Sequence, residues 1–377
     1  MSGQHKLSAQ WLRLSFHDAG TFNKAVPEGG ANGCLMNHPP MRLQDENGHL
    51  DIAINTLEQI RNNWEQLATT CIDISSADII QFAGFFASVR QTGSVPGITT
   101  AKISQLLTFK WGRPDEVNCN INWTHNLPGF DLGTDSGNLP LRCKMAGKEI
   151  KTKMMDRNGF TAQEATALIG AHTIGLTRNV FGDLAAPWVA DGADDATPSG
   201  PVFDNTFFDF MANKIVAKTT TAFDINPAPF TSIFPTWVQT SSPTTLNYLD
   251  TDLALAFPPK SAADHPDYHV NTVAFSKNNQ FFLNTFHNAL SKMGMLGVTA
   301  VLSVPVPCPV CQTVADPITV PAVVKLVANL GDATSTADAS LAVQQDAIKD
   351  QQVAQTTVVH SFILTENGTN TVEIPPS

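Results

Sequence analysis

Apolar side chains recur every three or four residues through most of the first 300 residues, and this spacing limits the possible folds more than any other feature. Between Leu50 and Leu67 one helical face collects the apolar residues Ile52, Ile54, Leu57, Ile60 and Trp64. The strict alternation typical of strands is hardly present before residue 300. The sequence therefore predicts a mainly α fold.

Helix start signals agree with this prediction. Ser75 or Ser76 is a suitable N-cap for the apolar run Ile79 to Val89, because short polar side chains accept backbone N–H groups there. Thr161 with Glu164 has the spacing of a capping box. A last helix is predicted from Asn279 to Leu290, with an end near Gly294 or Gly297.

Charge excludes two classes of partner. The chain of 377 residues has 23 basic and 34 acidic side chains, a formal charge of −11. Nucleic-acid binding and basic membrane-surface binding both depend on clustered Lys and Arg, so neither partner is expected. No uncharged apolar run reaches the roughly 18 residues of a membrane span. We expect a monomer that acts on small molecules.

Composition changes after residue 305. Residues 306–377 contain a single aromatic residue, Phe362, and no Arg. We therefore predict a domain over 1–305 and an appended, partly extended tail over 306–377 that lies over the domain, with a hairpin near Asn367-Gly368. An alternative, from composition alone, is that the tail binds a carbohydrate or a partner.

The N-terminus has no apolar segment of the signal-peptide kind, but two glycosylation sequons begin at Asn122 and Asn367. On this basis we expect a secreted glycoprotein whose signal peptide precedes this sequence. Several cysteine arrangements are open. Cys119 can pair with Cys143, Cys308 can pair with Cys311, and Cys34 and Cys71 are either thiols or paired with each other.

Three short segments carry candidate chemistry. Arg13 and His17 are one turn apart on a predicted helix, which suits proton transfer by His beside a fixed cation. His172 ends an apolar helix among small residues, and Asp252 lies in an apolar stretch where an acid needs a partner. Taken singly, a polar helix stripe and a satisfied core histidine explain these residues equally well.

Together, the segments RLSFHDAG, ALIGAHTIG and LDTDLAL resemble the haem peroxidases of plants, fungi and bacteria over about residues 8–300. The segments ISSADIIQFAG and DATPSGPVFDNTFF are most similar to the secreted fungal lignin-type branch of the family. The segments GGANG and ENGHLD are closer to ascorbate and cytochrome c peroxidases. The resemblance implies two helical subdomains with haem b between a distal and a proximal helix. It also implies that the domain begins one helix late here.

The resemblance assigns roles to individual residues. His172 would bind the haem iron, and Asp252 would accept its second N–H. His17 would move a proton of hydrogen peroxide, Arg13 would stabilise the developing charge, and Asn47 would orient His17. Three further residues would contact the haem or its ligand, namely Phe16, Trp188 and, at a propionate, Arg178. Asp78 and Arg113 correspond to a structural ion pair.

The implied reaction is one-electron oxidation of small phenolic or aromatic donors by hydrogen peroxide through ferryl intermediates. Trp188 would either share the oxidising hole as a radical or serve only as a packing aromatic. The alternative function is a non-catalytic haem-binding scaffold descended from a peroxidase.

Calcium is implied on the proximal side, with oxygen ligands from Thr173, Asp195, Thr197, Val202 and Asp204. A distal calcium at Asp18 is doubtful, because Asn32 and Cys34 replace the usual Asp and Ser.

Overall fold

The computed structural model describes residues 7–66, 74–93, 98–129, 139–177, 186–189, 202–215, 225–227, 237–239, 246–259, 261, 265–300, 302 and 325–330. Its elements are mainly helical, which confirms the predicted fold class. The helices of the first half are α1 Leu7–Ala19, α2 Cys34–Asn37, α3 Pro39–Arg42, α4 Asp51–Gln66, α5 Ser76–Arg90 and α6 Thr100–Leu106. Short 3₁₀-helices cover Asp45–Asn47 and Ile121–Asn126.

The second half contains α7 Leu139–Ile150, α8 Ala162–Ile169, α9 Thr206–Asp209, α10 Asp250–Ala256, α11 Tyr268–Lys277 and α12 Asn279–Met293. A π-helix, Lys151–Arg157, continues α7, another, Phe210–Ile215, continues α9, and a 3₁₀-helix, Gly170–Thr173, continues α8. Five short strands complete the described elements: β1 Leu176–Thr177, β2 Ala186–Pro187, β3 Ile225–Pro227, β4 Trp237–Gln239 and β5 Leu246–Tyr248.

Both small sheets are antiparallel. In the first, Leu176 of β1 pairs with Pro187 of β2. In the second, β4 is central, and its Trp237 pairs with Pro227 of β3 and Tyr248 of β5. Strand β5 also contacts β1 and β2, so the chain segments leading to Trp188 and Asp252 lie side by side.

The predicted caps form. The Ser75 hydroxyl accepts the Asp78 N–H and starts α5, and Thr161 and Glu164 form a complete capping box at α8. Helix α12 begins at Asn279 as predicted and has Gly294 as its C-cap.

Helix α1 packs most extensively against α5, and Gly84 makes the close approach possible. A Cβ at Gly84 would lie 2.0 Å from the Ser15 Oγ, so a larger residue cannot occupy this crossing without displacing α1. Around this crossing, one hydrophobic cluster joins side chains of α1, α4 and α5 to those of α8 to α12. The backbone positions of Phe16 and His17 therefore depend on a rigid helix pair.

The predicted ion pair of Asp78 and Arg113 is confirmed. The Arg113 Nη1 lies 2.8 Å from the Asp78 Oδ1, and the two side chains are 2 % and 4 % exposed, respectively. Asp78 also accepts the backbone N–H groups of Gly112 and Arg113, so its buried carboxylate has three hydrogen-bond donors.

The cysteine pairing differs from the prediction. Cys34 forms a disulfide with Cys119, so the proposed Cys119–Cys143 pair is wrong, and Cys143 is a buried thiol. Both alternatives for Cys34, a thiol or a pair with Cys71, are wrong for the same reason. The pairing could not be read from the sequence, because four or more cysteines permit several connectivities. Cys71, Cys308 and Cys311 lie outside the described residues.

Helix 325–330 is the described part of the segment 306–377. Its Leu326, Val327 and Leu330 are buried in the main hydrophobic cluster. The boundary at residue 305 stays a prediction, and the predicted hairpin near Asn367 lies outside the described residues. No helix in the described ranges is long and apolar enough to cross a membrane.

Candidate active site

Helix α1 has one face that is only half-buried. From Trp11 to Ala19, only Arg13, Phe16 and His17 are partly exposed, while the other side chains are buried. Their spacing of three and four residues places them on the same face of the helix. The three distal residues predicted from RLSFHDAG thus share one surface.

Asn47 fixes the orientation and the tautomer of His17. The Asn47 Nδ2 donates to the Met41 carbonyl at 2.7 Å, which leaves its Oδ1 to accept from the His17 Nδ1 at 2.9 Å. Because the amide oxygen can only accept, Nδ1 carries the proton and Nε2 keeps its lone pair. The turn Asp45–Asn47 holds Asn47 buried at 2 % exposure.

The His17 ring is neutral over the usual pH range. Its pKa is lowered to about 3, mainly by burial and also by the neighbouring Arg13 cation, while the hydrogen bond with Asn47 opposes both effects. A neutral imidazole with a free Nε2 lone pair is a proton acceptor.

The Arg13 guanidinium is held by the same turn. Its Nη1 donates to the Gly48 carbonyl at 2.8 Å, and its Nη2 donates to the Glu46 carbonyl at 2.6 Å. Residues 46–48 therefore position both the imidazole and the cation. Sequence reasoning identified Asn47 but not the two carbonyls, since backbone acceptors leave no signal in residue types.

Asp252 holds the second histidine, His172, in place. The His172 Nδ1 lies 2.7 Å from the Asp252 Oδ1, and the second carboxylate oxygen accepts the Leu249 N–H at 2.8 Å. Asp252 is fully buried because it closes the N-terminus of α10, which accounts for an acid in an apolar stretch. The Nε2 of His172 makes no hydrogen bond within the described ranges, so it can bind a metal.

Trp188 covers the His172 ring. The two ring centroids are 3.8 Å apart and the planes differ by 6°, while Phe207 meets the imidazole edge-on at 5.8 Å. The 3₁₀-helix Gly170–Thr173 places His172 at this position, and Gly170 permits close packing, because a Cβ there would lie 2.5 Å from the Phe208 ring.

The residues present fit a haem. Helix α1 approaches the segment after His172 closely, since a Cβ on Gly175 would lie 2.9 Å from the Ala9 Cβ. Phe16 and His17 of α1, and Ala171 and His172, are partly exposed although the residues next to each pair are buried. A flat apolar cofactor could cover these side chains, and His172 offers a nitrogen donor.

Asp18, the residue after His17, is buried and surrounded by hydrogen-bond donors. Its carboxylate accepts the backbone N–H groups of Gly33 and Leu35 and the amide of Gln81. Burial nevertheless raises its pKa to about 7. Gln81 was missed from the sequence, although it lies in the segment ISSADIIQFAG that marked the resemblance.

Few of the predicted calcium ligands can be placed. The Thr173 hydroxyl donates to the Asp204 Oδ1 at 3.3 Å, and that oxygen also accepts the Thr206 N–H. Val202 is partly buried beside them, whereas Arg178, Asp195 and Thr197 lie outside the described residues. The described residues contain no group of three or more His, Cys, Asp or Glu able to hold a metal ion.

A neutral histidine with an arginine one helical turn away, together with a second histidine bonded to a buried carboxylate, is typical of the haem peroxidases, oxidoreductases that act on hydrogen peroxide. The chain belongs to the peroxidase family, whose model matches residues 1–304.

Individual relatives are distant. An L-ascorbate peroxidase 2, cytosolic, of Arabidopsis thaliana is 29 % identical over 52 % of this chain and 61 % of its own length. Mitochondrial cytochrome c peroxidases of Yarrowia lipolytica and Aspergillus fumigatus are 27 % and 26 % identical over 76 % of this chain and 67 % and 63 % of theirs. The chain thus spans less than two thirds of two of these relatives.

These comparisons correct two predictions. The relatives are named as cytochrome c and ascorbate peroxidases, so the assignment to the secreted lignin-type branch is wrong. The relatives are named as mitochondrial or cytosolic proteins, which contradicts the prediction of a secreted protein. Both errors came from weighting sequons and local likenesses, which are short patterns that arise by chance. Asn122 is exposed, but nothing supports its glycosylation.

Proposed function

We propose that the chain reduces hydrogen peroxide and oxidises small phenolic or aromatic donors by one-electron steps, with haem bound between His17 and His172. One observation carries the proposal: in both His17 and His172 the Nδ1 is fixed by a hydrogen-bond partner, so that the Nε2 is available. The partner of His17 is the neutral amide of Asn47, which suits a proton acceptor. The partner of His172 is the buried carboxylate of Asp252, which suits a metal ligand.

When bound, haem supplies the redox-active iron at which the O–O bond of hydrogen peroxide is broken. His172 would hold the iron through Nε2, and Asp252 would make the ring a stronger donor. His17 would accept a proton from one peroxide oxygen at Nε2 and return it to the other oxygen as water leaves. Arg13 would stabilise the negative charge that develops on the departing oxygen.

The reaction balances with two donor molecules. Hydrogen peroxide takes up two electrons and two protons and yields two waters, and two phenols each give up one electron and one proton to become phenoxyl radicals. Named relatives act with cytochrome c or ascorbate, so these two reductants are the natural competitors of a phenol in a test.

We also propose a calcium ion next to His172. Thr173 and Asp204 are in contact, which brings a hydroxyl and a carboxylate oxygen together next to His172. Elemental analysis of the purified protein, before and after dialysis against a chelator, tests it.

The decisive experiment reconstitutes the protein with haem and measures the Soret band and peroxide-dependent oxidation of a phenol, ascorbate and ferrocytochrome c. We expect phenol oxidation that falls by about 10²–10⁴-fold in His17→Ala with haem retained. His172→Ala should weaken haem binding itself. Haem uptake without turnover of any donor would refute the proposal and favour the non-catalytic scaffold.

A further inference from the structure

A cavity of about 420 Å³ lies against the turn that positions the distal residues. Its apolar walls come from Leu43, Leu127 and Pro128. A cavity of this size and lining accommodates one aromatic ring with a short substituent.

The charged side chains of the cavity are mostly acidic. Asp45, Glu46 and Glu149 all line it, whereas Lys153 is its one Lys or Arg within the described residues. Lys153 and Glu149 are 3.6 Å apart and form an ion pair. The Glu46 Oε1 lies 3.6 Å from the His125 ring, which is largely exposed. Three carboxylates outnumber Lys153 and His125 together, so the lining has an excess of negative charge.

The partly buried position of these groups strengthens their effect. The side chains of Glu46, Glu149 and Lys153 are 27 %, 23 % and 15 % exposed. Burial lowers the pKa of Lys153, and the negative charges of Glu149 and Glu46 oppose this shift. Charges that are partly removed from water interact more strongly with a ligand than surface charges do.

The cavity is connected to the distal site through a single turn. Glu46 contributes its side chain to the cavity and its carbonyl to Arg13, at 2.6 Å from the guanidinium. The next residue, Asn47, binds His17. Leu127, another lining residue, packs close to Gly20 just after α1. The cavity is therefore lined by residues that hold or contact the segment carrying Arg13 and His17.

We propose that this cavity binds the electron donor and selects donors that carry a positive charge, such as a phenol or aniline ring bearing an ammonium group. The ring would contact the apolar wall, and the ammonium would face Glu46 and Asp45. This inference rests on the proposed peroxidase function and names its donor class. Each bound donor would lose one electron and its phenolic proton, and two such steps match the reduction of one hydrogen peroxide to two waters.

The test measures binding separately from turnover. Tyramine, p-cresol and 4-hydroxyphenylpropionate share a phenol ring and differ in charge, so each is titrated by calorimetry into the haem-loaded, cyanide-inhibited protein. We expect tyramine to bind about tenfold more tightly than the propionate at low ionic strength, because the lining is acidic. The difference should shrink at high salt, since screening weakens exposed charges.

Variants place the effect in the cavity. Glu46→Gln and Asp45→Asn should each reduce the preference for tyramine over p-cresol by about threefold, because each removes one charge. Asp156→Asn is the matched control, because Asp156 is exposed, pairs with Lys151 and does not line the cavity. Asp45 is an exposed side chain, so its variant should fold even if Glu46→Gln does not.

Two results would overturn the inference: equal binding of the three phenols, or a preference for tyramine that neither cavity variant reduces. Turnover is scored independently. Selective binding without oxidation of any donor would refute the proposed function but not the binding site. Equal binding of the three phenols with equally efficient oxidation would refute the binding site but not the proposed function.

Discussion

Trp188 lies flat on the ring of His172, with centroids 3.8 Å apart and planes 6° apart. The same imidazole donates to the buried carboxylate of Asp252 at 2.7 Å. Two π systems in parallel contact beside a negative charge are well placed to share a positive hole, because the carboxylate stabilises it.

The first prediction concerns this stack. After one equivalent of peroxide, the haem-loaded protein should show a protein radical in electron paramagnetic resonance, and Trp188→Phe should abolish the signal. Trp111→Phe is the control, since Trp111 is buried between Phe82 and Phe109. An undiminished signal in Trp188→Phe would mean that Trp188 only packs against His172.

The second prediction is a pH dependence of the reaction with peroxide. His17 must be neutral to accept a proton, and its pKa is lowered to about 3, so the rate constant should be flat at neutral pH and fall only near that pKa. Arg13→Leu removes a cation that lowers the pKa of His17, and the acid limb should therefore move to higher pH. Asn47→Leu removes a hydrogen bond that raises the pKa of His17, so the limb should move to lower pH.

Stopped-flow measurements with both variants check this pair of opposite shifts, and circular dichroism at each pH controls for unfolding. Shifts in the same direction would show that the acid limb does not belong to His17.

The third prediction concerns Asp252. In Asp252→Asn a neutral amide replaces the carboxylate that accepts from both His172 and the Leu249 N–H. The amide has only one oxygen acceptor and carries no negative charge. Haem affinity or the peroxide rate should fall by about 10–100-fold, as for other partners of metal-bound histidines. The Fe(III)/Fe(II) potential should rise, because a negative charge no longer stabilises the ferric iron. Asp209→Asn, at the partly exposed last residue of α9, should leave the potential unchanged.

The parts of this site that the sequence predicted are those encoded in local spacing. Arg13 and His17 are one turn apart, and Thr161 with Glu164 caps the helix that leads to His172. The contacts that the sequence did not predict are made between segments that are distant along the chain. The carbonyls that hold Arg13 belong to a turn more than thirty residues away. The N–H groups that hold Asp18 come from a loop shaped by Gly33 at φ 77°.

The fourth prediction concerns the disulfide of Cys34 and Cys119, which closes a loop with a sequence separation of 85 residues. Its loss should lower the free energy of unfolding by about 2–4 kcal/mol, mainly because the unfolded chain gains freedom. Denaturant unfolding of the Cys34→Ala/Cys119→Ala variant checks the value. Reducing agent should destabilise the native protein by a similar amount and leave the variant unchanged, and an effect of reductant on the variant would contradict this assignment.

The last prediction tests the crossing that positions the distal residues. A Cβ on Gly84 would lie 2.0 Å from the Ser15 Oγ, so Gly84→Ala should push α1 away and cost about 1–3 kcal/mol in the free energy of unfolding. Gly294→Ala is the matched control, because its φ is −63° and a Cβ there would meet no atom closer than 3.4 Å. Adding Ser15→Gly removes the obstructing side chain, and a double-mutant cycle should then show a coupling of about 1 kcal/mol or more. Since α1 holds Phe16 and His17, Gly84→Ala should also shift the Soret band, and the double variant should restore it. Additive effects in the cycle would mean that α1 and α5 can separate without strain.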